Sequence, residues 1–194
     1  DTTIWQVISG TGAVTQQGTG TTTLTGTNTY TGVTTINNGN LQIGNGTIDG
    51  SIATTSAIVD NTNLIVNNTG NTNFSQVISG TGNIVQQGSG TTNLSNVNSY
   101  TGSTTVNNGT LALTESGDIS SSSGVHAYGG TFDISNLPSS TTQATIQALD
   151  GLGAVALGSK TLVISNANNN FGNNFSGSIA GSGGLEITNG TEIL

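Results

Sequence analysis

The chain of 194 residues carries nine acidic side chains against one lysine and no arginine, for a formal net charge of -8, and it has no cysteine. Such a chain repels a nucleic-acid backbone or an anionic membrane surface, offers no apolar run near the ~20 residues of a spanning helix, and has neither a disulfide nor a thiolate nucleophile. Disorder is disfavoured too, because only 5% of the residues are charged while Thr, Val and Ile abound, and 30 glycines supply tight turns between short strands.

In chain order, Ile4 to Ile8 is a short apolar run predicted as a strand and closed by the turn at Ser9 to Gly12. A second strand begins at Val14 and Gln16. After Gly18 and Gly20, the stretch Thr21 to Thr25 carries Leu24 as its one large apolar residue, which predicts one inward side chain among outward ones. Thr34 to Ile36, a turn at Asn37 to Gly39, and alternating Leu41 and Ile43 follow. The block Gly44 to Asn73 has the same grain in different letters and is predicted to form intervening coils.

The string from Gln6 to Leu41 then returns almost unchanged from Gln76 to Leu111, and its opening returns again from Phe175. Self-similarity at a fixed spacing marks a solenoid, whose units bury their apolar faces only against their neighbours. The repeat copies are 6–41 and 76–111, with a partial copy at 175–194, and the whole of 1–194 is expected to be a single β-helix segment. The chain stops soon after the third copy begins, so the array is expected to run on.

Between the copies, Glu115 to Tyr128 is the least patterned stretch and is expected to be a loop or widened turn leaving the coil. Its Glu115, Asp118, His126 and Tyr128 are the candidate ligand contacts. Gly129 to Ile134 resumes strand alternation with Phe132 and Ile134 on one face. From Ser139 to Gly153 a helix competes with a strand, and the alternation of Thr145 to Leu149 between solenoid neighbours favours the strand. Thr161 to Asn166 is a strand, and the Asn-rich stretch 167–175 is a turn-rich lead into the third copy.

Each predicted strand has only one or two inward apolar residues. The turns sit between strands too short for hairpins, and asparagines recur where stacked coils allow amide ladders. Together these predict an all-β, right-handed parallel β-helix rather than a sandwich or propeller.

Little in the sequence points to catalysis. His126 with Asp133 and nearby serines leaves a Ser-His-Asp arrangement open on counting alone, but no G-x-S-x-G elbow accompanies it, and a solvated loop histidine is the preferred reading. Asp49, Asp60, Asp118, Asp133 and Asp150 are isolated in sequence. Acid-base pairing across coils is kept as an alternative to turn formation by each aspartate. The glycine-rich starts at Gly10 and Gly80 lack a third glycine and a following helix, so they read as turns rather than nucleotide loops. Tyr30 and Tyr100, at identical places in the two copies, are expected to pack at a corner rather than to stack on glycans. No cofactor, metal or catalytic residue is assigned.

Gly10, Gly12, Gly18, Gly20, Leu24, Asn28 to Gly32, Thr34, Thr35 and Asn37 to Leu41, with the matching Gly80, Gly82, Gly88, Gly90, Leu94, Asn98, Tyr100 to Gly102, Thr104, Thr105 and Asn107 to Leu111, resemble the passenger-associated transport repeat of bacterial autotransporters. The resemblance implies a surface-exposed or secreted β-helix delivered through an outer-membrane β-barrel, which would be its only tie to a membrane. It implies an adhesin that meets a host-cell or matrix surface or sister passengers. A structural stalk for an effector elsewhere is the alternative, and a carbohydrate-active β-helix comes third.

Overall fold

The computed structural model describes residues 1–167 and 174–193, so most of the Asn-rich lead predicted over 167–175 lies outside the described residues. The strands are two to five residues long, and every pairing between them is parallel. They stack into a solenoid of about nine turns with three faces. The first face is an eight-stranded sheet running from Thr2–Ile4 through Thr21–Leu24, Asn40–Ile43, Asn63–Val66, Asn83–Gln86, Thr104–Val106 and Val125–Ala127 to Leu149–Gly151. The second is a six-stranded sheet from Thr72–Phe74 to Ser178–Gly181. The third comes in two pieces: four strands from Val14–Gln16 to Ile78–Ser79, and three comprising Gln143–Ile146, Thr161–Ile164 and Leu185–Ile187.

Parallel pairing in register puts like on like. Leu41, Leu64 and Ile84 stack directly along the axis, as do Leu24, Ile43 and Val66, and all are wholly buried. Each such side chain contributes roughly 1.5–3 kcal/mol by leaving water. Coils differ in length: Thr22 meets Leu41 in the next coil, whereas Val125 meets the more distant Leu149. The offset between the two repeat copies amounts to three coils and a further third, so the second copy is rotated by one face. Thr21–Leu24 lies on the first face and its copy Thr91–Leu94 on the second; Thr34–Ile36 lies on the third and its copy Thr104–Val106 on the first. The partial third copy is back in phase with the first, with Leu185–Ile187 on the same face as Val14–Gln16.

The copies share buried polar clamps. Gln86 donates through Nε2 to the carbonyls of Gly88 (2.7 Å) and Gly90 (3.1 Å) and accepts from Thr92 Oγ1 (2.6 Å). Gln16 does the same with Gly18, Gly20 and Thr22. Asn98 accepts the Ile78 N–H and donates to the Asn96 and Asp118 carbonyls, as Asn28 does with Ile8, Gly26 and Ser51. Tyr30 and Tyr100 are buried at corners, as expected, each with its hydroxyl 2.6 Å from the Oγ1 of Thr34 or Thr104. Buried polar groups must be hydrogen-bonded, and these clamps meet the Gly18 and Gly88 carbonyls and the Ile8 and Ile78 N–H groups and add a second bond to carbonyls such as those of Gly20 and Gly90 that already accept a backbone N–H. At the Asn-Asn-Gly turns, Gly39 and Gly109 have φ of 64° and 59°, and a Cβ would come within 2.3 Å of the Gly20 or Gly90 carbonyl oxygen, so no other residue fits.

The expected amide ladder is present on the first face. Asn83 Nδ2 donates to Asn63 Oδ1 (3.1 Å), Asn63 to Asn40 (2.9 Å) and Asn40 to Thr21 Oγ1 (3.0 Å).

Two expectations are corrected. Ile4 to Ile8 is not a strand: the strand is Thr2–Ile4, fixed by its pairing with Thr22 to Leu24, and Trp5 and Val7 point into solvent. The stretch 115–128 does not leave the coil. It bridges Val97 at Asp118, buries Ile119 and ends in the first-face strand Val125–Ala127. Its serines hid this by satisfying backbone groups where apolar alternation would have marked a strand; Ser122 Oγ donates to the Gly102 carbonyl (2.8 Å). In the disputed 139–153 segment the strand is found, over Gln143–Ile146 and Leu149–Gly151.

Candidate binding groove

The four candidate contacts fall in two places on the rod. Glu115 and Asp118 belong to the corner that follows the second-face strand Thr110–Leu113. The corner is tight: Gly117 N–H reaches the Thr114 carbonyl (2.8 Å), and Glu115 sits at φ 53°, among the described residues the one non-glycine residue in the left-handed region. Strain of this kind persists only where the surroundings impose it, and it aims the exposed Glu115 side chain outward. Asp118 Oδ1 accepts the Ser120 N–H (2.6 Å).

This corner forms one wall of a groove of about 250 Å³. Leu113, Leu137 and Ala144 supply apolar lining, Val97 stands at the rim with 56% of its surface exposed, and Thr141, Gln143 and Thr145 supply the opposite polar wall. That opposite wall is held by Lys160. Its Nζ donates to the carbonyls of Pro138 (2.6 Å) and Thr141 (2.7 Å), and the residue is only 5% exposed. The one lysine of the chain is therefore spent inside, and the surface presents carboxylates with no lysine or arginine to answer them.

His126 and Tyr128 lie on the first face, away from that corner. Parallel register sets His126 beside Asp150 of the next coil, and Nδ1 of the imidazole is hydrogen-bonded to Asp150 Oδ1. The imidazole and the Tyr128 ring stack at 5.5 Å with planes 11° apart. Tyr128 follows Ala127 as Leu152 follows its register partner Gly151, and both Tyr128 (51%) and Leu152 (73%) are exposed. The result is a small amphipathic patch with an acidic edge.

The aspartate of His126 is thus Asp150, not the downstream Asp133, whose oxygens take the Ser135 N–H (2.8 Å) and the Asn136 amide (3.0 Å). Asp49 likewise caps the Thr69 and Gly70 N–H groups across coils, and these hydrogen bonds hold its carboxyl below the usual range. Turn and corner formation accounts for these carboxylates. The sequence reading missed Lys160, Leu137, Gln143 and Leu152, and with them the pairing of Asp150 to His126. No spacing rule joins residues one coil apart when coil length varies, and only the length of this particular coil, fixed by the register of Val125 with Leu149, brings the histidine and the aspartate together.

Fold and surface together define a parallel β-solenoid rod with polar outer ladders and a shallow groove on one side. Residues 14–43 and 84–113 each match the family model of the passenger-associated-transport-repeat. Over 101 residues the chain is 52% identical to the adhesin BmaC autotransporter of Brucella suis biovar 1 (strain 1330), an alignment that covers 52% of this chain and 3% of that protein. The chain thus spans a very small part of its curated relative's length. No solved structure matches. The chain thus carries two stretches that match the passenger-associated-transport-repeat and is similar over half its length to an adhesin autotransporter.

Proposed function

We propose that this rod is an adhesive stretch of its passenger, holding bacteria to a host-cell or matrix surface or to sister passengers, and that its role is not enzymatic. The observation that carries this reading is the 52% identity to an adhesin autotransporter over 101 residues. The structure supports it with faces built for many weak contacts. Ladders of Asn and Thr offer hydrogen bonds that each net about 1 kcal/mol, so attachment works by multivalency. A stalk reading draws on the eight-stranded first face, which stacks from Thr2 to Gly151 without a break.

The test is display. A non-adherent bacterium exporting this rod on an autotransporter barrel is compared with one exporting an unrelated β-helix of equal length. Adherence to cultured cells or matrix, or clumping in suspension, that is specific to this rod supports the adhesive reading. Equal behaviour of the two strains replaces it with the stalk.

A further inference from the structure

The third face is interrupted in the middle of the rod. Its first piece ends at Ile78–Ser79, an isolated bridge joins Val97 to Asp118, and pairing resumes only at Gln143–Ile146, the edge strand of its sheet. The Thr161 N–H bonds to the Thr142 carbonyl and the Ser165 N–H to the Ile146 carbonyl, so the peptide groups of Thr142, Ala144 and Ile146 turn towards the following coil. By strand alternation those of Gln143 and Thr145 turn the other way, into the groove, and among the described residues no strand pairs with that edge. The gap is wedge-shaped. It narrows at Gln147, whose Nε2 approaches the Ser121 carbonyl (3.5 Å), and it widens between Thr141 to Gln143 and the Glu115 to Asp118 corner.

We propose that this groove docks an extended, cationic peptide segment of a partner protein, which adds a short strand to the free edge of Gln143–Ile146 and seats one lysine or arginine side chain in the wedge. Edge addition uses main-chain hydrogen bonds for affinity and a side-chain pocket for specificity. The pocket suits a basic side chain: Leu113, Leu137 and Ala144 line it for the aliphatic stem, and Glu115 and Asp118 stand at its wall for the charged head. Charge complementarity also identifies whose segment it is. A second copy of this chain has no arginine, and its one lysine is buried on the Pro138 and Thr141 carbonyls, so another copy of these residues does not supply the cation, and a partner segment does. The inference stands on the groove itself and does not depend on the adhesive reading.

The probe is the peptide acetyl-Thr-Val-Lys-Val-Thr-amide, titrated into the 194-residue chain while backbone amide resonances are followed. Shifts confined to 115–118 and 141–146 are expected. Norleucine in place of lysine, or E115Q/D118N in the protein, should weaken binding about tenfold, the equivalent of ~1.4 kcal/mol. Thr145→Pro removes an N–H that faces only the groove and should abolish binding with the melting temperature unchanged. If that variant misfolds, a peptide N-methylated at both valines makes the same cut from the other side. Shifts scattered over other faces, equal binding of a glutamate-for-lysine peptide, or undiminished binding of the N-methylated peptide overturns the proposal. Peptide binding by a rod that fails the display assay keeps the groove and discards the adhesive role; adherence without peptide binding does the reverse.

Discussion

Lys160 Nζ donates to the carbonyl oxygen of Pro138 at 2.6 Å, one coil back, and the same ammonium reaches the Thr141 carbonyl. A buried cation with two carbonyl partners and no carboxylate is a local tether, because it ties the Thr141 carbonyl and the Pro138 turn to the next coil where the chain bulges between Thr131–Asp133 and Gln143–Ile146.

Lys160→Met keeps the stem and removes the tether. Hydrogen bonds to a charged group contribute ~1.5–3 kcal/mol, and the Thr141 carbonyl loses its partner while Pro138 keeps the Thr141 N–H (2.9 Å), so a loss of about 3 kcal/mol is expected. The melting temperature should fall by roughly 6–12 °C for a chain of this size. Hydrogen exchange should rise first at 138–142, and exchange that rises uniformly along the rod would refute the tether.

The two glutamine clamps make the same bonds in different surroundings, since Gln86 is 1% exposed and Gln16 is 8% exposed in the outermost coil. Gln86→Ala leaves the buried Gly88 carbonyl and the Thr92 hydroxyl without their partner, while Gly90 keeps the Thr110 N–H (3.0 Å), at a cost of about 2–3 kcal/mol. Gln16→Ala should cost less than half as much, because water reaches the same groups. Chemical denaturation of the two variants measures the difference, and equal losses would show that burial is not what sets the strength of the clamp.

The parts of this fold that were legible in the sequence are those where repetition isolated one residue at a time: Leu24 and Leu94 pointing inward, Tyr30 and Tyr100 at corners, the asparagine ladder. The rotation of one copy against the other was hidden, because the offset between copies is not a whole number of coils, and coil length is set by corner excursions that carry no apolar pattern. The same cause obscured the groove. Glu115 and Asp118 stood out only as unpatterned, while the wall that faces them is a coil away and is fixed by a lysine whose partners are backbone atoms.

Tyr100→Phe should cost only about 1 kcal/mol, because the Thr104 hydroxyl left behind still has Ser122 Oγ at 3.0 Å. Tyr30→Phe should match it closely, since Thr34 retains Thr55 at 3.0 Å in the same arrangement. Denaturant midpoints of the two variants test whether corresponding corners on different faces of the rod are energetically equivalent, and a difference above about 1 kcal/mol would show that they are not.

Asp60 is wholly buried, with Oδ1 accepting the Thr62 N–H (3.0 Å) and Oδ2 without a partner. Burial pushes its carboxyl up to about 6. The folded state therefore holds a proton that the unfolded chain releases near pH 4, so stability is greatest below pH 4 and is lost as the pH rises from there through about 6. Two pH units correspond to about 3 kcal/mol. Asp60→Asn should flatten this slope between pH 4 and 6.5 in thermal melts, and a variant with the wild-type slope would assign it to other groups.

Contact between rods should follow the same carboxylates. The surface is acidic throughout, with the one lysine buried, so identical rods repel each other. Glu192 gives up its charge first on acidification, because burial and the nearby charge of Asp150 push it up to about 7. The remaining exposed carboxylates follow below about pH 5. Salt acts in the same direction, since the Debye length shrinks from ~30 Å at 0.01 M to ~10 Å at 0.1 M and repulsion beyond that range is screened. What is then left between two rods is the Asn and Thr ladders and the exposed Tyr128 and Leu152, contacts too weak singly and sufficient only when many align. Sedimentation velocity should therefore show association growing both with ionic strength and with falling pH, with E192Q shifting the onset towards neutral pH. A chain that stays monomeric throughout would leave its faces to partners other than itself.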